Sequence, residues 1–269
     1  MNGVFENYQT LDGSTLFLGA FFFTIQIYGD FSGYSDIAIG CARLFGIDLM
    51  QNFKYPYFSR DIAEFWRRWH ISLTTWFRDY IYIPLGGSRA GKWKSFRNTL
   101  VIFLVSGFWH GANWTFVAWG AYHALLFLPL LLLGQNRRYR DSVAENSFLP
   151  SVKELTQMGV TFLLVLLGWI LFRSEDISQA AVYLERMFNA SLFSAPQLVG
   201  LGFGQLLLKK CFFFTALMFV VEWIGRKQAH GLMIEDLSLP VRYVIYTVLL
   251  IIIYGFDASN PQGFIYFQF

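Results

Sequence analysis

"NTLVIFLVSGFWHGANWTFVAWGAYHALLFLPLLLLGQN", residues Asn98 to Asn136, contains no Lys, Arg, Asp or Glu. A straight transmembrane helix needs about 20 apolar residues. The run is too long for one such crossing and barely long enough for two. Its interruption, "SGFWHGANW" (Ser106 to Trp114), places His110 among glycines and tryptophans. Polar side chains facing lipid are costly, and irregular backbone at membrane depth needs protein or a water-filled cavity around it. The stretch predicts a broken or paired helix, with a cavity at the break and His110 facing it.

The rest of the chain agrees with this class. Of its 269 residues, 55% are hydrophobic, 20% aromatic and 14% charged, against roughly 25% charged in soluble domains. The mean hydropathy is +0.42. Further apolar segments run from Thr15 to about Phe45, Met158 to Phe172, Cys211 to Ile224 and Val241 to Phe256. The first is interrupted by "YGDFSGYSD" and is expected to be broken there. The N-terminal "MNGVFENYQTLDGST" has no basic region or cleavage motif and reads as a loop before a span. Cys41 and Cys211 lie in apolar segments and are expected to be reduced packing residues. No repeat or low-complexity linker divides the chain, so residues 1–269 are expected to form one transmembrane domain.

Ten of the 21 basic residues fall between Arg43 and Arg97, and none precedes Arg43. Arg137, Arg138, Arg140 and Lys153 follow in the next loop, and Arg226 and Lys227 in a later one. The positive-inside rule puts these loops in the cytoplasm. That explains the formal charge of +3 without nucleic acid as a partner.

"SRDIAEFWRRWHISLTTWFRDYIYIPLGG" starts at Ser59. Ile62, Phe65, Trp66, Trp69, Leu73, Trp76, Phe77 and Tyr80 recur at helical spacing, which predicts one amphipathic helix at the cytoplasmic surface. Ser59 or Asp61 would cap it, with Glu64 three residues after Asp61. Pro84 and Gly86-Gly87 would end it. Glu64 is placed to pair with Arg67 and Arg68. Arg67 and Arg78 share its basic face, and His70 lies at the edge of the apolar stripe.

Asp30 and Asp36 stand in an otherwise uncharged segment, beside Tyr28, Tyr34, Ser32 and Ser35. Ionisable residues inside a span are candidates for function. The alternative is that they hold a broken helix together through those hydroxyls. His110 has the sharper case, with Gly107 and Gly111 around it and Asn113 and Trp114 adding donors. An uncharged imidazole in a low-dielectric cavity can take a hydroxyl proton. His123 reads as a satisfied packing histidine, and His230 as a loop residue without a specific task. From the residues alone, a proton relay or transporter site fits as well as an enzyme site.

"FSGYSDIAIG", "FWRRWHISLTTWFRDYIYIPLGG" and "SGFWHGANWTFVAWGAYHA" together resemble the membrane-bound O-acyltransferase superfamily. The bacterial branch that acetylates exported, alginate-like polysaccharides looks nearest. Relatives transfer acetyl to peptidoglycan or D-alanine to teichoic acids. "GWILFRSEDISQAAVYLERMF" and the terminal "FIYFQF" are also similar. The resemblance implies an all-α polytopic fold, a bundle of tilted helices around a tunnel, in the bacterial inner membrane. It implies His110 as the catalytic residue and His70 at the second active-site position. Asp30, Tyr34, Asp36, Arg67, Trp69, Arg78, Trp109 and Asn113 are candidates to line the tunnel or touch substrate. The donor it implies is acetyl-CoA or another acyl thioester, with no bound cofactor and no metal. The acceptor would be a polysaccharide, reached directly or through a periplasmic acetyltransferase partner. Such proteins are longer, so the chain is expected to match a C-terminal part, without the N-terminal spans. A transporter subunit, or a catalytically silent scaffold of an envelope-modification complex, stay open as other readings.

Overall fold

In the computed structural model, residues 2–89, 91–197 and 205–255 are described. They are helical, with no strand among them. In order the helices are α1 (Asn2–Glu6), α2 (Gly13–Leu44), α3 (Ile62–Arg68), α4 (Ile71–Phe77), α5 (Lys92–His110), α6 (Trp114–Leu132), α7 (Val152–Arg173), α8 (Ile177–Met187), α9 (Gln205–Gly225) and α10 (Leu239–Gly255). Two of them, α6 and α7, are long and apolar enough to cross a membrane by length and composition. The terminal "FIYFQF" lies outside the described residues.

The segment around "YGDFSGYSD" does not break. α2 runs unbroken over 32 residues, about 48 Å at 1.5 Å per residue. Gly29 and Gly33 have open space where a Cβ would stand, so nothing packs into the helix to bend it. Interior glycines cost roughly 1 kcal/mol each, which a long apolar helix tolerates. Leu16, Gly19, Ala20, Phe23, Thr24, Ile27 and Tyr28 form its buried stripe. The expected N-terminal loop is also partly helical. Val4 and Phe5 of α1 are buried, and the Phe5 ring stacks on Tyr183 of α8 at 4.8 Å.

The expected break near His110 is present. α5 and α6 form a hairpin joined by residues 111–113, and their backbones touch through glycine. A Cβ on Gly107 would stand 2.2 Å from the Phe116 carbonyl oxygen, and one on Gly120 2.2 Å from that of Phe103. Small residues at a crossing allow this approach. Asn113 caps α6 by accepting from the Thr115 N–H at 3.0 Å.

The single helix expected from Ile62 to Tyr80 is two helices and a π turn. α3 stops at Arg68, and His70 adopts a left-handed backbone with φ 44° before α4 begins. The cause lies in residues 52–54. In an unbroken helix the Ser72 N–H would donate to the Arg68 carbonyl. Here that carbonyl accepts from the Lys54 N–H at 3.0 Å instead. The Ile71 N–H donates to the Asn52 carbonyl at 2.9 Å. The Asn52 side-chain oxygen accepts from the Ser72 N–H and hydroxyl, at 3.2 and 2.6 Å. The break therefore leaves none of these groups unpaired, which buried backbone demands.

The α3 start matches expectation in part. Asp61 accepts from the Glu64 N–H at 2.7 Å. Glu64 pairs with Arg68 at 2.6 Å, but its other partner is Arg60 at 3.0 Å rather than Arg67. Arg60 continues to Asp141 and Glu154. Arg67 turns away and donates to the carbonyls of Asn136 and Tyr139, both at 2.5 Å. Arg226, at the end of α9, donates to the carbonyls of Val143 and Ser147 among others. The basic loops thus gather at one end of the bundle. At the other end Asn113 donates to the Glu175 carbonyl and Arg186 to that of Leu11.

The α5–α6 contact gives a test. Gly120→Ala forces the helices apart and is expected to cost about 1–3 kcal/mol, read as a lower melting temperature in detergent. Gly159→Ala, where a Cβ meets open space, serves as control and should lose nothing. Equal melting temperatures for the two variants would contradict the close crossing.

Candidate active site

An aromatic wall runs through the middle of the bundle. Trp69 packs on Phe65 at 5.5 Å and on Trp169 at 4.9 Å. Trp119 stacks with Trp169 at 5.9 Å and meets the His110 ring at 5.3 Å. Phe172 touches the same imidazole at 5.0 Å. Such pairs add to area burial through ring electrostatics.

Between the wall, α3, α4 and α5 lies a cavity of about 480 Å³. Both His70 and His110 line it, with Trp66, Trp69, Trp119 and Trp169. Arg67, Arg78, Asn136 and Arg137 line it too. The cavity therefore carries arginines as well as imidazoles on largely apolar walls. Its volume falls in the range of small-molecule sites.

Each imidazole is placed by a local device. His110 is the last residue of α5, at the hairpin turn, where Gly111 leaves room for the Phe116 ring. His70 is held by the left-handed break, and its ring meets Phe31 of α2 at 4.7 Å. The Trp109 ring lies 6.5 Å from His70 and 5.0 Å from His110. Burial pushes the His70 imidazole down to about 4. At neutral pH it is an uncharged ring with one donor and one acceptor nitrogen.

Of the other candidates, Arg67, Trp69 and Arg78 line the cavity. Arg78 also pairs with Asp79 at 2.7 Å. Trp109 does not line it, and the residue is 56% exposed while its ring packs on the His110 imidazole. Asn113 is spent on capping α6 and on the Glu175 carbonyl. Asp30, Tyr34 and Asp36 do not line the cavity either. They sit on an unbroken α2, so neither carboxylate clamps a broken helix.

His123 is a packing residue but not a satisfied one. It is wholly buried among Phe65, Trp66, Trp119 and Tyr122, and neither ring nitrogen has a partner among the described residues. A Cβ on Gly168 would stand 2.7 Å from its Nε2. Thr99, Ser106 and Arg137 are not among the candidate site residues of the sequence, yet all line the cavity. Thr99 and Ser106 precede His110 by eleven and four residues, on the same helical face, and that spacing was readable. Among the described residues, no three His, Cys, Asp or Glu side chains converge as metal ligands. Cys41 and Cys211 are free thiols.

The left-handed backbone at residue 70 sets a ranking. His70→Gly should melt above His70→Val by about 1–3 kcal/mol of stability, because β-branched residues resist that conformation. The reverse order in a detergent melt would contradict the break.

A family model for the membrane-bound O-acyltransferase family matches residues 2–144. The chain is 43% identical over 196 residues to the Pseudomonas aeruginosa protein named Probable alginate O-acetylase AlgI, covering 71% of the chain and 36% of that relative. It is 40% identical over 165 residues to a Helicobacter pylori Peptidoglycan O-acetyltransferase, covering 61% and 30%. To a Bacillus subtilis Teichoic acid D-alanyltransferase it is 30% identical over 163 residues, covering 57% and 40%. The chain thus spans between 30% and 40% of the length of these relatives.

Proposed function

The chain belongs to the membrane-bound O-acyltransferase family, and on that premise we propose that it carries the transfer site of an enzyme that acetylates hydroxyls of an exported polysaccharide. The acceptor class is drawn from the printed names of its relatives, an alginate-like polymer being the first choice. Transfer runs directly to the polymer or through a periplasmic partner protein. The whole chain acts as one domain of a multi-pass protein of the bacterial inner membrane, with its basic end in the cytoplasm. The α3–α4 segment lies at the cytoplasmic surface, and the cavity is part of a tunnel.

The observation that carries this reading is that two histidines from separate elements share one cavity with arginines. Arg67, Arg78 and Arg137 suit the phosphates of acetyl-CoA or a similar thioester donor. The apolar walls suit the thioester arm and keep water from hydrolysing it. His110 acts as general base on the acceptor hydroxyl and returns that proton to the leaving thiolate. His70, uncharged and held by the broken helix, orients the acceptor.

His110→Ala in the intact protein, in its own membranes, tests the reading. Ester formation on the exported polymer should fall by about 10²–10⁴-fold at an unchanged protein level. Full acetylation at that protein level would remove His110 from the reaction.

A further inference from the structure

The cavity face of α5 holds a hydroxyl with nothing to do. Ser106 is 7% exposed, lines the cavity and has no hydrogen-bond partner among the described residues. Hydroxyls within helices commonly donate to the carbonyl four residues back. Thr24 does so to Ala20, and Thr156 to Val152. Ser174 likewise turns to the Ile170 carbonyl. Ser106 makes no such bond, so its proton is free to point into the cavity.

Its position matters as much as its freedom. Ser106 precedes His110 by four residues in one helix, which puts both side chains on one face about 6 Å apart along the axis. Acyl transfer needs a donor where negative charge develops on the carbonyl oxygen. The indole N–H groups of Trp66, Trp119 and Trp169 are sealed inside the wall, whereas the Ser106 oxygen is not.

We propose that the Ser106 hydroxyl donates a hydrogen bond to the carbonyl oxygen of the acyl thioester and holds the oxyanion during transfer. The step rests on the acyl-transfer reading of the cavity. The acceptor hydroxyl gives its proton to His110, and its oxygen bonds to the carbonyl carbon. The carbonyl electron pair moves to oxygen, where Ser106 stabilises it. The carbon–sulfur bond then breaks, the thiolate takes the proton from His110, and an ester and a thiol result. Ser106 stays unmodified throughout.

The test compares Ser106→Thr with Ser106→Val, which share shape and differ in the hydroxyl, alongside Ser106→Ala and His110→Ala. The readout is the rate of ester accumulation on the exported polymer, at matched membrane levels of the intact protein. Ser106→Ala and Ser106→Val should lose about 10²–10³-fold, the usual effect of deleting one oxyanion donor. Ser106→Thr should stay within about tenfold of the parent. Equal rates for the Thr and Val variants would overturn the proposal. An acetyl group found on Ser106 by mass spectrometry would overturn it too, because the residue would then be a nucleophile. If His110→Ala is inactive while Ser106→Val is fully active, only the role of Ser106 falls. If His110→Ala keeps full activity, the reading of this cavity as the transfer site falls, and the role of Ser106 with it.

Discussion

Residues 52–54 take over the hydrogen bonds of a helix that would otherwise run straight. The Lys54 N–H occupies the Arg68 carbonyl, and Asn52 satisfies both Ile71 and Ser72. Without these partners, continuing the helix through Trp69 and His70 would be the way to pair that backbone. With them, the chain turns, and two neighbouring side chains separate. Trp69 goes into the aromatic wall against Phe53, at 5.0 Å, and Trp169. His70 goes into the cavity. Arg60, Glu64 and Arg68 clamp the first half of the broken helix from below. Removing one member of such a buried set leaves a charge uncompensated, which typically costs about 3–5 kcal/mol.

The α5–α6 hairpin supplies the other half of the site by a different means. Gly107 and Gly120 let the two backbones touch, and Gly111 with Asn113 makes the turn that ends α5 at His110. One imidazole is therefore placed by a helix terminus and the other by a left-handed break. Neither depends on a mobile loop tip. Strained backbone of the kind seen at His70 persists where the surroundings over-determine it. At His70 those surroundings are Asn52 on one side and the Trp69 packing on the other.

Much of this was legible in the sequence, and the failures have physical causes. Long apolar runs located α6 and α7, because a span needs length and apolar composition alone. The "GFWHGANW" turn was legible because Gly and Asn announce helix ends. The spacing from Ile62 to Tyr80 pointed to one helix, since apolar periodicity survives a single break. The partner that imposes the break lies in an irregular stretch with no pattern of its own. The opposite error arose in α2, where the polar, glycine-containing stretch "YGDFSGYSD" suggested an interruption. Glycine permits a break but does not cause one. The cap that Asn113 makes on α6 was not legible, because a cap and a cavity-lining amide look alike in sequence. Ser106 escaped notice because a buried serine in a helix is usually spent on the preceding turn. Only its missing bond distinguishes it.

The break and the hairpin bring two histidines to one cavity. A double-mutant cycle on ester formation by the intact protein tests this most directly, with His70→Ala, His110→Ala and both together. Residues that act as a unit are non-additive. The double variant is predicted to lose no more activity than the worse single variant. Losses that multiply would mean that the two imidazoles act independently and would contradict the shared site.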